Sequence, residues 1–434
     1  MEREDAVCGP QPARMGCHES APLTSSRPVA LEPNAIDAMT DKPIYLDNHA
    51  TTRVDPRVVE AMLPCFLESF GNPGSINHAY GWEARDLVEA ARARIAALIG
   101  ATEREIVFTS GATESNNLAL KGVAERLGHK GKHIVSVKTE HKSVLDPLRR
   151  LARRGFEVTL LDVAPAGSDC PGWLDPEQVQ RALRPDTILV SVMLANNEIG
   201  VIQPIAEIAP ICRAHGVLLH CDATQAVGKI PVHVKQLGVH LMSFSGHKIY
   251  GPKGIGALYV ERSPGNVRLE PQIDGGGQEW HLRSGTLNVP GIVGLARALE
   301  LCIEELPHEM QRLRRLRDRL FEQLAADVPD LVLNGPPLEQ SDRRLPGNLN
   351  CGFPGVDGEA LILNARDVAV SSGSACTSAD PEPSHVLRAL GLNDDLVRAS
   401  LRFGIGRFNT ESDIDRAARL LAQEASRLRK LVAS

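Results

Sequence analysis

The chain contains no run approaching the roughly 20 consecutive apolar residues that a membrane-spanning helix needs, so no membrane span is expected. Its first 40 residues lack an apolar h-region and carry Glu2, Glu4, Asp5, Glu19, Glu32 and Asp37, which fits neither a secretory signal nor a transit peptide. A basic excess is also missing. The formal net charge is −6, which gives no electrostatic footprint for direct nucleic-acid binding. Paired cysteines are absent too: the nine cysteines are odd in number and include no C-x-x-C. That argues against a disulfide framework and against a zinc finger. Most of them, Cys212 and Cys221 among them, read as small buried hydrophobes. The expectation left is a globular protein of the cytoplasm.

What is present is an ordinary balance of 43% apolar and 24% charged residues over 434 positions, long enough for two domains. Residues 1–40 are rich in Pro, Ser, Ala and charge, show no period, and read as a disordered extension. Met39 just precedes the first strand-like run, 43–46, and is a candidate start of translation. Residues 41–56 form a segment that joins a small C-terminal domain, 306–434, and 57–305 form a large domain. Within the large domain β-rich runs occur at Ile106–Thr109, His133–Val137, Glu157–Leu161, 188–193, 217–221, Leu241–Ser245 and Gly256–Val260. Helical patterns such as 83–99 and Ile205–Ala214 separate most of them. This alternation predicts an α/β fold with a seven-stranded, mostly parallel sheet covered on both faces. The loop between the last two runs is too short for a helical crossover, so that pair is expected to be antiparallel. A charged helical stretch, 307–327, bridges to the small α+β domain.

Ligands of open α/β sheets bind beyond the carboxyl ends of the strands, so the residues following each run carry most weight. After Thr109 comes Ser110-Gly111-Ala112-Thr113, a small turn opening a helix. Its free N–H groups and positive dipole end suit a phosphate. Asp222 closes one run, where an ordinary helix N-cap is the plainer reading. Asn196 and Asn197 follow another. Lys248 follows Ser245-Gly246-His247, and a lysine at the end of a buried strand is costly unless it is paired or used as a nucleophile. A phosphate turn, an Asp and a Lys at three strand ends match the needs of pyridoxal 5'-phosphate. The Lys bonds the aldehyde, the Asp pairs with the ring nitrogen and the helix end takes the phosphate.

Ser245-Gly246-His247-Lys248, with Asp222-Ala223-Thr224-Gln225 upstream and Ser371 to Ser378 around Cys376 downstream, resembles the cysteine desulfurases of the IscS/NifS type. Tyr45-Leu46-Asp47, Gly71-Asn72-Pro73, Thr139-Glu140-His141, Arg283-Ser284-Gly285-Thr286 and Arg402-Phe403 extend the resemblance over about 43–434. It implies a fold type I, class V aminotransferase-like homodimer. Lys248 corresponds to the lysine that carries the cofactor, Asp222 to the partner of the ring nitrogen, Gln225 to a donor to the ring hydroxyl oxygen, and His141 to the histidine stacked over the ring. Ala112, Thr113, Ser245 and His247 correspond to phosphate contacts, and Thr286 to one supplied by the other subunit. Asn197 and Arg402 are similar to the groups that hold the substrate carboxylate. Asn48-His49, Gly404-Ile405 and Ile76-Asn77-His78 depart from the usual pattern without removing any of these groups.

Cys376 corresponds to the sulfur acceptor. Its Ser-, Gly-, Ala- and Thr-rich surroundings read as a flexible, exposed loop rather than a buried site. The implied reaction takes sulfur from L-cysteine, releases L-alanine and leaves a persulfide on Cys376, whose thiolate attacks the substrate sulfur. The base that deprotonates Cys376 stays open between His141 and the substrate amine. The persulfide sulfur would pass to an acceptor such as an iron–sulfur scaffold, with tRNA or cofactor thiolation as other destinations; Cys376 is also a candidate transient ligand of cluster iron. A selenocysteine lyase and a non-catalytic partner-binding homologue are the competing readings. The small-residue loop at Cys376 disfavours the first, and retention of Lys248, Asp222 and Cys376 disfavours the second. Scaffold-docking relatives continue beyond the position of Ser434, so weaker scaffold docking is expected here.

Overall fold

Seven of the β-rich runs fold into one sheet. Its strands are β1 (Ile106–Thr109), β2 (His133–Val137), β3 (Glu157–Leu161), β4 (Thr187–Ser191), β5 (Leu218–Asp222), β6 (Leu241–Ser245) and β7 (Gly256–Val260). The computed structural model describes residues 42–262, 266–372 and 383–432. The expected extension 1–40 with Met39, and Cys376 with most of its loop, lie outside the described residues. Strand order is β1-β7-β6-β5-β4-β2-β3. The pairs among β2 to β6 are parallel, and β7 runs antiparallel to both β1 and β6. Every residue of β2, β4, β6 and β7 is buried, as expected for strands covered on both faces. Only β3, at the sheet edge, is part-exposed along its length.

Two strands lie where hydropathy alone does not put them. β4 spans 187–191 rather than 188–193, and β5 spans 218–222 rather than 217–221. Ladder pairing sets the ends: Ser191 pairs with His220, and Asp222 with Ser243. Asp222 is therefore the last residue of β5 and caps a turn, not a helix; its Oδ1 accepts from the Thr224 N–H at 3.0 Å.

The helices that bear on the site are α1 (Ala112–Leu127) and α2 (Lys142–Ala152). The bridging helix is longer than 307–327. It is a single 39-residue helix, α3 (Val289–Asp327), with Pro307 inside it. A proline normally breaks a helix by removing one N–H and crowding the preceding turn. Here Pro307 is on the exposed face, so the freed carbonyl has access to water. Burial of Leu295 and Leu299 on one side of it, and of Leu316, Leu320 and Leu324 on the other, holds both halves in line.

The second sheet is antiparallel: β8 (Val332–Leu333), β9 (Asn348–Gly352), β10 (Ser371–Ser372) and β11 (Ser400–Gly404), in the order β10-β11-β9-β8. It packs a core of its own with Leu320, Phe353, Phe403 and Leu421. The last of these lies on the terminal helix α4 (Glu411–Val432). Ile44 and Leu46 join that core, because Ile44–Tyr45 pairs in parallel with Val368–Ala369. Cys212 and Cys221 are fully buried, as expected.

Candidate active site

The carboxyl ends of β1, β2, β4, β5 and β6 surround a cavity of about 550 Å³. Ala112, Thr113, His141, Asn197, Asp222, Gln225, Ser245, His247 and Lys248 all line it. These nine positions span more than a hundred residues of sequence and meet because parallel strands bring every βα turn to the same edge of the sheet.

The β1 turn supplies the N-terminus of α1. Gly111 there has φ +151, a backbone region that favours glycine, and a Cβ at this position would point into the cradle 3.6 Å from Ser245 Oγ. No side chain caps the helix, so its first N–H groups are left for an anion. Across the cavity, Lys248 ends the single 3₁₀ turn Gly246–Lys248 after β6. Its side chain is buried, and Nζ donates to the backbone oxygens of His49 (2.5 Å) and Ala50 (2.6 Å). Thr52 locks this segment against the 3₁₀ turn: its N–H and Oγ1 donate to His247 O, and its Oγ1 accepts from the Tyr250 N–H. Burial, reinforced by Lys248, pushes His247 down to about 4.

Asp222 holds both of its oxygens in bonds, Oδ1 to the Thr224 N–H and Oδ2 to Asn116 Nδ2 at 2.8 Å. Gln225 is fixed by His49, whose backbone oxygen takes its Nε2 at 2.9 Å, and by Lys229 Nζ, 2.6 Å from its Oε1. His141 caps α2: its Nδ1 accepts from the Ser143 N–H at 3.1 Å. Burial holds His141 below its ordinary value. Beside it Glu140 is wholly buried, takes the Met193 N–H on Oε1 and has no partner on Oε2. Burial and then the charge of Asp222 keep its carboxyl well above the usual range.

Two site residues named from sequence stand elsewhere. Arg402, on β11, is fully buried and does not line the cavity. Its Nη2 donates to Asp47 Oδ1 at 2.8 Å, while Nε and Nη1 have no partner. Thr286 is exposed and lines a different cavity, of about 330 Å³, with Asn72, Arg85 and Trp280. Sequence reasoning in turn assigned no role to Asn116, Ser143, Glu140, His49 or Lys229. All are polar and buried or nearly so, next to a motif residue or one helical turn from it; that placement is the only signal they carry.

A buried lysine facing a strand-end Asp, with a helix N-terminus closing the cavity, defines the class. The chain belongs to the class-V aminotransferase family, whose model (Aminotransferase class-V) matches residues 44–417. It is 56% identical over 389 residues to the cysteine desulfurase IscS of Anaeromyxobacter dehalogenans (strain 2CP-C), an alignment covering 90% of this chain and 94% of that protein. Among solved structures, a NifS-like protein superposes with a TM-score of 0.81 and 38% identity, over 89% of this chain and 100% of that one. SspA in complex with cysteine superposes with a TM-score of 0.73 and 36% identity, over 84% of this chain and 99% of that one.

Proposed function

We propose that this chain is a pyridoxal-phosphate-dependent cysteine desulfurase that converts L-cysteine to L-alanine and carries the sulfur as a persulfide on Cys376. The observation that carries the reading is the meeting of Lys248, Asp222, His141 and the uncapped α1 N-terminus in one 550 Å³ cavity, beside relatives that are cysteine desulfurases at 56% identity. The donor set fits the cofactor. The glycine cradle at Gly111 and the hydroxyl of Ser245 suit its phosphate, and Thr224 Oγ1, buried on the cavity wall without a partner, is a further polar contact to offer. When bound, the cofactor supplies an electron sink for the substrate's Cα electrons.

The chain's own residues do the rest. Lys248 would hold the cofactor covalently through Nζ. Asp222 would pair with the ring nitrogen and favour its protonated form, and Gln225 and His141 would position the ring. Asn197 on the cavity wall and Arg402 are assigned to the substrate carboxylate; Arg402, which does not line the cavity in this structure, would reach it with the Nε and Nη1 that have no partner. Cys376 attacks the substrate sulfur as a thiolate, because thiolate is the nucleophilic form. A sulfur-acceptor protein such as an iron–sulfur scaffold then discharges it. We assign the reaction to the cytoplasm, where thiols stay reduced. We keep the division into 57–305 and 306–434, with 41–56 joining the latter and α3 running across the boundary: Ile44, Leu46, Phe353, Phe403 and Leu421 share one core, while Leu345, Val386, Leu387, Leu390 and Val397 pack into a core of the larger part.

The working unit is proposed to be a homodimer. Leu63, Phe66, Leu67, Phe70, Tyr80 and Trp82 stand exposed within one short stretch of chain, Leu67 by 72%. An apolar surface of this kind marks an interface. Thr286, outside its own subunit's cavity, is available to complete the partner's phosphate site.

Purified holoenzyme given L-cysteine is expected to release alanine and to accumulate protein-bound persulfide. Cys376→Ser is expected to keep the cofactor and release no alanine, since a hydroxyl is a far poorer nucleophile toward sulfur. Borohydride reduction is expected to leave cofactor on the peptide that contains Lys248. Normal alanine release from Cys376→Ser, or label on Lys253, would refute the assignment.

A further inference from the structure

We propose that Asn116 is a positioning residue that joins Asp222 to His141 through a single amide nitrogen and, by way of Ser143, fixes His141 in the tautomer that presents Nε2–H to the cavity. This rests on the pyridoxal-phosphate reading of the site. Asn116 is fully buried in the second turn of α1. Its Nδ2 lies 2.8 Å from Asp222 Oδ2 and 2.9 Å from Ser143 Oγ. The orientation of the amide is dictated by charge: turned over, its oxygen would face the Asp222 carboxylate. Both Nδ2 hydrogens are thereby used, one on each partner, and Oδ1 has no partner.

The hydrogen count then runs one way. Ser143 Oγ receives a hydrogen from Asn116, so its own hydrogen is free to go to His141 Nδ1, 2.8 Å away. The Ser143 backbone N–H donates to that same Nδ1 at 3.1 Å. A nitrogen that accepts from two donors carries no hydrogen of its own. Neutral His141 must therefore hold its proton on Nε2, and burial favours that neutral form. The charged and titratable groups around His141 are Asp222, Lys248, His385 and Asp146. In the resting site His141 is thus a hydrogen-bond donor at Nε2; it can accept a proton there only in the other tautomer, with its own proton on Nδ1, which both Ser143 donors oppose. The same amide steadies Asp222 and, through Ser143, the His141 imidazole, so the two groups that would contact the cofactor are set as one unit.

The test uses holoenzyme carrying Asn116→Ala or Ser143→Ala and reads three quantities: the pH titration of the cofactor's visible band, the pH dependence of kcat, and Tm. Asn116→Ala is expected to move both pH dependences by about half a unit or more and to lower kcat about 10- to 100-fold, the range set by one hydrogen bond to a charged group. Ser143→Ala is expected to leave the band's titration in place and to shift the kcat profile alone, because it removes the hydroxyl arm to His141 Nδ1 and leaves only the backbone N–H there. Wild-type titrations and profiles in both variants, with nothing changed but a lower Tm, would overturn the proposal and leave Asn116 a packing residue. Should Asn116→Ala fail to retain cofactor, an unchanged kcat profile in Ser143→Ala overturns the His141 branch by itself. Absence of alanine release from the wild type would sink the desulfurase reading instead, and the band titration, which needs only bound cofactor, would still test the link between Asp222 and Asn116.

Discussion

Lys229 offers a measurement that depends on the interior of this site and not on turnover. It is part-buried beside the cavity, with Nζ 2.6 Å from Gln225 Oε1. Burial, and then the neighbouring charge of Lys248, lowers it from its ordinary 10.5 to about 7. Between those two pH values the unfolded chain binds a proton that the folded chain does not. Folding stability therefore rises with pH across that window and is flat below it. The full cost of the buried ammonium, present below pH 7, comes to about 5 kcal/mol. Lys229→Met keeps the chain length and removes the titration. It also removes one donor to Gln225 Oε1, which retains His49 Nδ1 at 3.1 Å; that loss is independent of pH and worth about 1 kcal/mol. The unfolding free energy of the wild type relative to Lys229→Met is thus expected to rise by roughly 3 kcal/mol from pH 7.5 to 9.5. Pulse proteolysis in urea on both holoenzymes at three pH values measures it. A difference that stays level with pH would refute the reasoning, because it would mean that Lys229 keeps its proton throughout that range in the folded protein.

Arg402→Lys is expected to raise KM for L-cysteine and to lower kcat/KM about 10- to 100-fold, because a point charge cannot reproduce the guanidinium fork while Asp47 holds one of its arms; an unchanged KM would remove Arg402 from carboxylate binding. Leu67→Glu is expected to weaken self-association by roughly 100-fold or more, since a symmetric interface loses the buried leucine twice. Sedimentation at micromolar concentration measures this, and a fully active monomer would show that Thr286 completes no partner site.

Local chemistry determined a great deal without any coordinates. The strands β1, β2, β3, β6 and β7 were legible to the residue, because short apolar runs between polar turns leave little choice of boundary. The cavity lysine stood out as well, because a charged residue closing a buried strand is expensive; the aspartate, which alone read as a helix N-cap, gained its role only beside that lysine and the phosphate turn. The resemblance supplied the order of the motifs and, through it, the reaction. Pairing and packing decided the rest. β4 and β5 took their ends from the ladder, and α3 ran through Pro307 because two cores grip it from either side. Asn116 and Ser143 are ordinary small polar residues in the sequence, 27 positions apart. Only the crossing of α1 over the start of α2 brings them within a hydrogen bond of each other. Tertiary structure likewise put Asp47 on Arg402, 355 residues away, and His49 on Gln225, 176 residues away. Such contacts leave no mark in sequence because they depend on where separate elements cross, and hydropathy periods report only which face of each element is buried.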